Sequence, residues 1–259
     1  MALNLGERLH AMDRASVRTA MLVAFGVIAV AMVGALVWML TPLGPASDAL
    51  GALRSGDGVE VTALPEGWLF VPAEGDDGAA GLVLYPGGRV DARSYAPLAR
   101  AVAERGHVVA LADMPLSLAV LDPGRARALV TEAPDVPRWA VGGHSLGGAM
   151  AAAYATEGDA GVVGLVLLAA YPPASSDLRS SDLRVLSVLG DRDEVVNRDN
   201  WEDGVDRLPE DTTYLTLPGG NHAQFGDYGP QPGDGQAQLS RTEQQRMTAD
   251  AIVVLLGSL

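Results

Sequence analysis

Residues 139–155 read WAVGGHSLGGAMAAAYA. An apolar run leads into a serine flanked by glycines, and small helix formers follow. Short apolar runs bounded by glycine suit a buried strand, and an Ala-rich tail suits a helix, so the stretch predicts a strand, a sharp turn and a helix. Only Ser145 among the serines has glycine at both minus two and plus two. The same alternation continues outward on both sides. Apolar runs at 82–85 (LVLY), 107–112 (HVVALA), 162–170 (VVGLVLLAA), 185–189 (VLSVL) and 214–217 (YLTL) are separated by helical stretches at 94–105 and 118–130, the second interrupted near Pro123. Ser240 and Glu243 form a capping box opening a C-terminal helix that ends in AIVVLL. Near-continuous apolar strands between helices predict an α/β fold, a mostly parallel central sheet covered by helices on both faces. Ahead of it, 59–64 (VEVTAL) and 68–71 (WLFV), joined through Pro65, Glu66 and Gly67, predict an antiparallel pair.

The 259-residue chain has a net charge of −14, no cysteine and no lysine, so all of its basic charge is arginine. This composition excludes thiol nucleophiles, thiolate metal sites and Schiff-base or Ser–Lys chemistry. The acidity argues against a nucleic-acid partner.

Residues 19–40 contain no charged side chain, and as a helix they would extend roughly 33 Å, the thickness of a bilayer core. Arg8, Arg14 and Arg18 lie before this run, and the next basic residue is Arg54. That bias predicts a signal anchor over 19–41 that contacts the lipid bilayer, with a cytoplasmic tail over 1–18. The alternative is a cleaved signal and a secreted protein, with a weak small-residue cleavage site in TPLGPASDA (41–49). Residues 42–57, rich in Pro, Gly and Ala, are expected to be a linker, and 58–259 the globular domain.

In parallel α/β sheets, chemistry gathers at the carboxyl ends of the strands. A serine held there in a strand–turn–helix stands above the sheet, ahead of a helix N-terminus that favours developing negative charge. A nucleophilic serine needs a base. Of the four histidines, His10 precedes the apolar run, His107 starts a strand, and His144 is expected to point away from Ser145. His222 follows the last strand and is the candidate. The orienting acid is expected after VLSVL, where Asp193 is favoured over Asp191. Candidate oxyanion donors are the amides of Leu146 and Gly88, with Arg89 next in line.

These blocks, LVLYPGGRVDARSYAPLARAVAERGHVVALADMPLSLAVLDPGRA, GGHSLGGAMAA, GDRDEVV and GGNHAQFGDYGPQPGDG, resemble the α/β-hydrolase superfamily, in particular its bacterial fold-five branch near dienelactone-hydrolase-like proteins. The resemblance covers 58–259 and implies a Ser145–Asp193–His222 triad that cleaves an ester or related acyl bond through an acyl-enzyme. It departs from many members in carrying Pro86 where a histidine often precedes the oxyanion glycines. No cofactor or metal is expected, because Asp227 and Asp234 lack the ligand spacing of a calcium loop. The expected partner is a small-molecule acyl substrate. Only residues 171–183 lie where relatives insert a lid, so little or no lid is expected. Met114, Leu116, Tyr171, Phe225 and Tyr228 are the expected lining. A thioesterase or peptidase with the same triad, or a non-catalytic membrane-anchored binding protein, are the alternatives.

Overall fold

The computed structural model describes residues 14–74, 79–159 and 161–259. It divides into two units, Met1–Thr41 and Pro42–Leu259.

In the first unit, α1 (Arg14–Leu40) contains a stretch, Ser16–Val37, with a mean hydropathy of 2.7 and long enough to cross a membrane. Residues 1–13 of the expected cytoplasmic tail lie outside the described residues, as does part of the acidic loop at 73–81.

The second unit is an eight-stranded sheet, in the order β1-β2-β4-β3-β5-β6-β7-β8. β1 (Val59–Leu64) pairs antiparallel with β2 (Gly67–Pro72), which pairs antiparallel with β4 (Val109–Ala112). β3 (Gly81–Tyr85), β5 (Trp139–His144), β6 (Val162–Leu168), β7 (Arg184–Gly190) and β8 (Thr213–Leu217) continue it in parallel. The period-two alternation of strands splits the apolar residues between two cores. Leu82, Leu84, Leu111, Val166 and Val188 face one side, with α3 (Ala96–Ala103) and α7 (Arg241–Leu256) supplying Leu98, Val102, Ala249 and Ile252. Val83, Tyr85, Ala110, Val141, Leu165 and Leu167 face the other, against α4 (Ala126–Thr131) and α5 (Leu146–Ala155). Each buried leucine contributes about 1.5–3 kcal/mol relative to exposure. The Ser240 hydroxyl caps α7 by accepting from the Glu243 amide.

Three local outcomes differ from expectation. The helix expected at 118–130, interrupted near Pro123, is a single 3-10 turn, Ala119–Leu121, ahead of that proline and α4 after it, with a further 3-10 turn, Pro115–Ser117, before it. Pro123 removes a donor, and Leu116 and Ser117 take left-handed backbone angles (φ 53° and 55°). A helix that the apolar pattern did not reveal, α6 (Arg198–Val205), is instead started by the Asn197 side chain, which accepts from the Asn200 amide at 2.9 Å. Residues 42–57, expected as a linker, belong to the compact second unit. They include α2 (Ser47–Gly51), whose Ala49 is fully buried.

Candidate active site

Four strand ends place the candidate residues along the carboxyl edge of the sheet. β3 leads to Gly88, β5 to Ser145, β7 to Asp193 and β8 to His222. Ser145 adopts φ 53°, ψ −121° at the strand-to-helix corner, a region that non-glycine residues occupy only at a cost of about 1–3 kcal/mol. The corner closes only because its neighbours lack side chains. A Cβ on Gly143 would stand 2.6 Å from the Gly147 carbonyl carbon, and one on Gly147 would stand 2.3 Å from the Pro86 carbonyl oxygen. Both are backbone atoms that cannot swing aside.

His222 donates through Nδ1 to Asp193 Oδ2 at 2.8 Å, with both side chains almost wholly buried. Two backbone amides, Val195 and Val196, each donate to Asp193 Oδ1 at 2.9 Å. The carboxylate is therefore held from both sides and presents one oxygen to the ring. Arg198 ties the same turn by donating to the Gly190 and Asp193 carbonyls. The rival acid, Asp191, is turned elsewhere and accepts from the Gly219 amide at 2.7 Å.

The base sits on a loop with its own fastenings. Gln244 of α7 grips the residue before it, accepting from the Asn221 amide and donating to the Asn221 carbonyl. Asp234 accepts from the His222, Ala223 and Gly235 amides, and Asp227 pairs with Arg241. Neither the Gln244 clamp nor the Asp234 cap left a sequence signal, since both act on backbone groups across a long loop.

Ser145, Leu146 and His222 line one cavity of about 440 Å³, together with Tyr171 and a set of small or apolar side chains. Tyr171 is the one expected lining residue found there. Met114 is buried in the core beside α4 and α5, and Phe225 packs against the His144 ring at 5.5 Å, so neither reaches the cavity. Leu116 and Tyr228 are likewise not among its walls. Met150, Val195 and Asn197 take those places. No helix covers the cavity from residues 171–183.

Three successive amides follow β3. The Gly87 amide donates to the Tyr95 hydroxyl at 3.0 Å and the Arg89 amide to the Ser117 carbonyl at 2.7 Å. The Gly88 amide has no acceptor among the described residues. Gly88 lies against Leu146, where an added Cβ would be 3.0 Å from Cδ2. Leu146 opens α5, where a first-turn amide has no intrahelical acceptor. These two amides remain available, and Arg89 does not.

His144 turns away from the cavity into the protein, yet its ring lies only 4.3 Å, centroid to centroid, from that of His222. The Tyr95 hydroxyl accepts from the Gly87 amide and lies 2.7 Å from His144 Nδ1, where donating its own hydrogen satisfies both groups. In that arrangement the proton of neutral His144 is on Nε2, which has no hydrogen-bond partner among the described residues. Burial first, and then the neighbouring His222, push the His144 pKa well below the ordinary 6.5. A depressed pKa means that the unfolded chain binds the proton first, so the His144 contribution to stability is intact above pH 6.5. It is lost as pH falls toward the folded-state value, at up to about 1.4 kcal/mol per pH unit. The expected outcome is a wild-type melting temperature that declines below pH 6.5 more steeply than that of His144→Gln. Parallel melting curves across pH 5–7 would remove His144 as the cause.

Residues 81–246 match a family model described as the alpha/beta hydrolase family. The chain belongs to that family. Solved structures share the hydrolase fold at low identity. A dienelactone hydrolase from Anabaena variabilis is 21% identical with a TM-score of 0.57, over 76% of this chain and 98% of that one. A thermostable esterase from Pseudomonas putida is 17% identical with a TM-score of 0.56, over 81% and 88%. Esterase 2 of Thermogutta terrifontis is 18% identical with a TM-score of 0.53, over 79% and 96%. A comparison with curated proteins finds no match. The hydrolase domain thus has the fold expected from its alternating strands and helices, with the serine corner inside the matched region.

Proposed function

We propose that this chain is a serine hydrolase that cleaves carboxylic esters of apolar, uncharged acyl groups. The buried 2.8 Å contact between Asp193 and His222 Nδ1 carries the proposal, because it leaves Nε2 as the ring nitrogen able to take a proton. In the proposed sequence His222 Nε2 removes the Ser145 hydroxyl proton while Oγ bonds to the ester carbonyl carbon. The carbonyl oxygen becomes an oxyanion held by the Leu146 and Gly88 amides. Collapse breaks the bond to the alkoxy group, which leaves as an alcohol with the proton from Nε2. Water then repeats the sequence: it gives a proton to His222, attacks the acyl carbon, and releases the acid as Ser145 regains its hydrogen.

The cavity walls support the substrate class. Among the described lining residues there is no Asp, Glu or Arg, so an anionic acyl end would lose hydration with nothing to replace it. In a series of straight-chain p-nitrophenyl esters, each methylene that enters the cavity is expected to raise kcat/KM about fourfold, from about 0.8 kcal/mol per buried CH₂. A hemisuccinate ester should fall below its uncharged analogue. A preference for the charged ester would reject the substrate class. The chemistry is tested by intact mass after fluorophosphonate treatment. One adduct is expected on the wild type and none on Ser145→Ala, and a folded wild type without an adduct would overturn the mechanism.

For location, the proposal is an uncleaved anchor with the hydrolase domain outside the cytoplasm. The arginine bias before residue 19 supports the orientation. A cut within 41–49 would fall in the segment docked on the domain, which supports retention of the anchor. The intact N-terminal peptide should be found by mass spectrometry in the membrane fraction.

A further inference from the structure

The docked segment after α1 touches both loops on which the proposed chemistry depends. Leu43 donates its amide to the Arg89 carbonyl at 2.7 Å, and its own carbonyl accepts from the Asp91 amide at 2.9 Å, making a parallel bridge with Val90. Arg89 directly follows Gly88. Three residues further on, Ala46 donates to the Asp227 carbonyl at 2.8 Å. Asp227 lies five residues after His222, in the same loop, and its amide is held by the Ser94 carbonyl at 2.7 Å.

The far end of the segment is also fixed. Ala49 of α2 is fully buried, and the Arg100 guanidinium donates to the Ala52 and Gly56 carbonyls at 3.0 and 2.9 Å and also to the Arg54 carbonyl. The segment therefore cannot be a slack tether at either contact. Its two amides reach the oxyanion loop and the histidine loop from one short extended piece of chain.

We propose that residues 42–51 form a strap that sets the spacing between the oxyanion donor and the base, with Leu43 and Ala46 as positioning residues that act through their backbone amides. The proposal rests on the catalytic reading of Gly88 and His222. The physical link is alignment: catalysis depends on the donor and the base meeting the same carbonyl, and a displacement of about 1 Å costs up to about 10²-fold. Neither strap residue is among the cavity walls, so substrate binding should be spared.

Ala46 permits an unusually clean test. Its φ is −68°, the value a proline ring imposes, so Ala46→Pro keeps that angle while it deletes the amide donor and sets the ring Cδ against the Asp227 carbonyl. The full chain is purified in detergent, active sites are counted with a fluorophosphonate, and kcat and KM are measured on a short p-nitrophenyl ester. Ala46→Pro is expected to keep a full complement of titratable serine while kcat falls about tenfold and KM stays within about twofold. Leu43→Pro is expected to lose more, and Leu43→Val, which keeps both backbone bonds, to recover most of that loss. If Leu43→Pro does not fold, Ala46→Pro decides alone. Ala46→Pro with wild-type kcat, or with a change confined to KM, would overturn the strap while leaving the triad standing. A wild type that neither labels nor turns over would instead remove the catalytic reading, and the strap proposal with it.

Discussion

Replacing Ser145 or His222 with alanine is expected to lower kcat by about 10⁴- to 10⁶-fold, with KM nearly unchanged. In the proposed sequence the serine supplies the atom that bonds to the acyl carbon and His222 takes its proton, a role His144 does not share because its Nδ1 is occupied by Tyr95. The two losses should not add. Without the base the hydroxyl is a poor nucleophile, and without the hydroxyl the base has no proton to take, so Ser145→Ala/His222→Ala should be no slower than either single variant. The residual rate should remain above that of water, because the proposed oxyanion donors, the Leu146 and Gly88 amides, are untouched. A double variant slower than both singles by a further factor of 10³ would show that the two side chains act independently, contrary to the proposed sequence.

The second large effect separates two neighbouring carboxylates. Asp193→Asn is expected to reduce kcat by about 10³- to 10⁴-fold with little change in fold. The side-chain amide has one oxygen, and Asp193 now uses both of its oxygens. One accepts from Val195 and Val196 and the other from His222. If the amide oxygen keeps the two backbone donors, the NH₂ faces Nδ1 and forces it to accept. The ring proton then moves to Nε2, where it blocks transfer from Ser145. Asp191→Asn keeps an oxygen for the Gly219 amide, so its kcat should stay within about threefold and its stability within about 1 kcal/mol. Measured kcat/KM for the two variants decides the matter, and the reverse ranking would move the acid to Asp191.

The fold was legible because its strands carry two alternating apolar faces, as at Leu82–Tyr85, where neighbours point into different cores. The sharp corner at Ser145 was legible because steric need writes glycine at fixed offsets, and the place of His222 because it follows the last strand. The acid was less so: Asp191 and Asp193 both follow β7, and only their hydrogen bonds separate them. Met114 and Phe225 were misplaced because an apolar side chain near a strand end suits the core as well as a cavity wall. α6, with the polar sequence RDNWEDGV, has no apolar stripe to announce it. The segment 42–57 misled for a different reason. Its Pro-, Gly- and Ala-rich composition marks a tether, whereas its docking is made by main-chain amides that any sequence possesses.

The left-handed corner at Ser145 also bears on how such a chain evolves. At φ 53° and ψ −121° glycine would rest without strain. A lineage selected only for thermal endurance would find Ser145→Gly close to neutral or better, and would lose the proposed nucleophile by that step. Relief of backbone strain and the proposed nucleophile therefore pull in opposite directions at this one position.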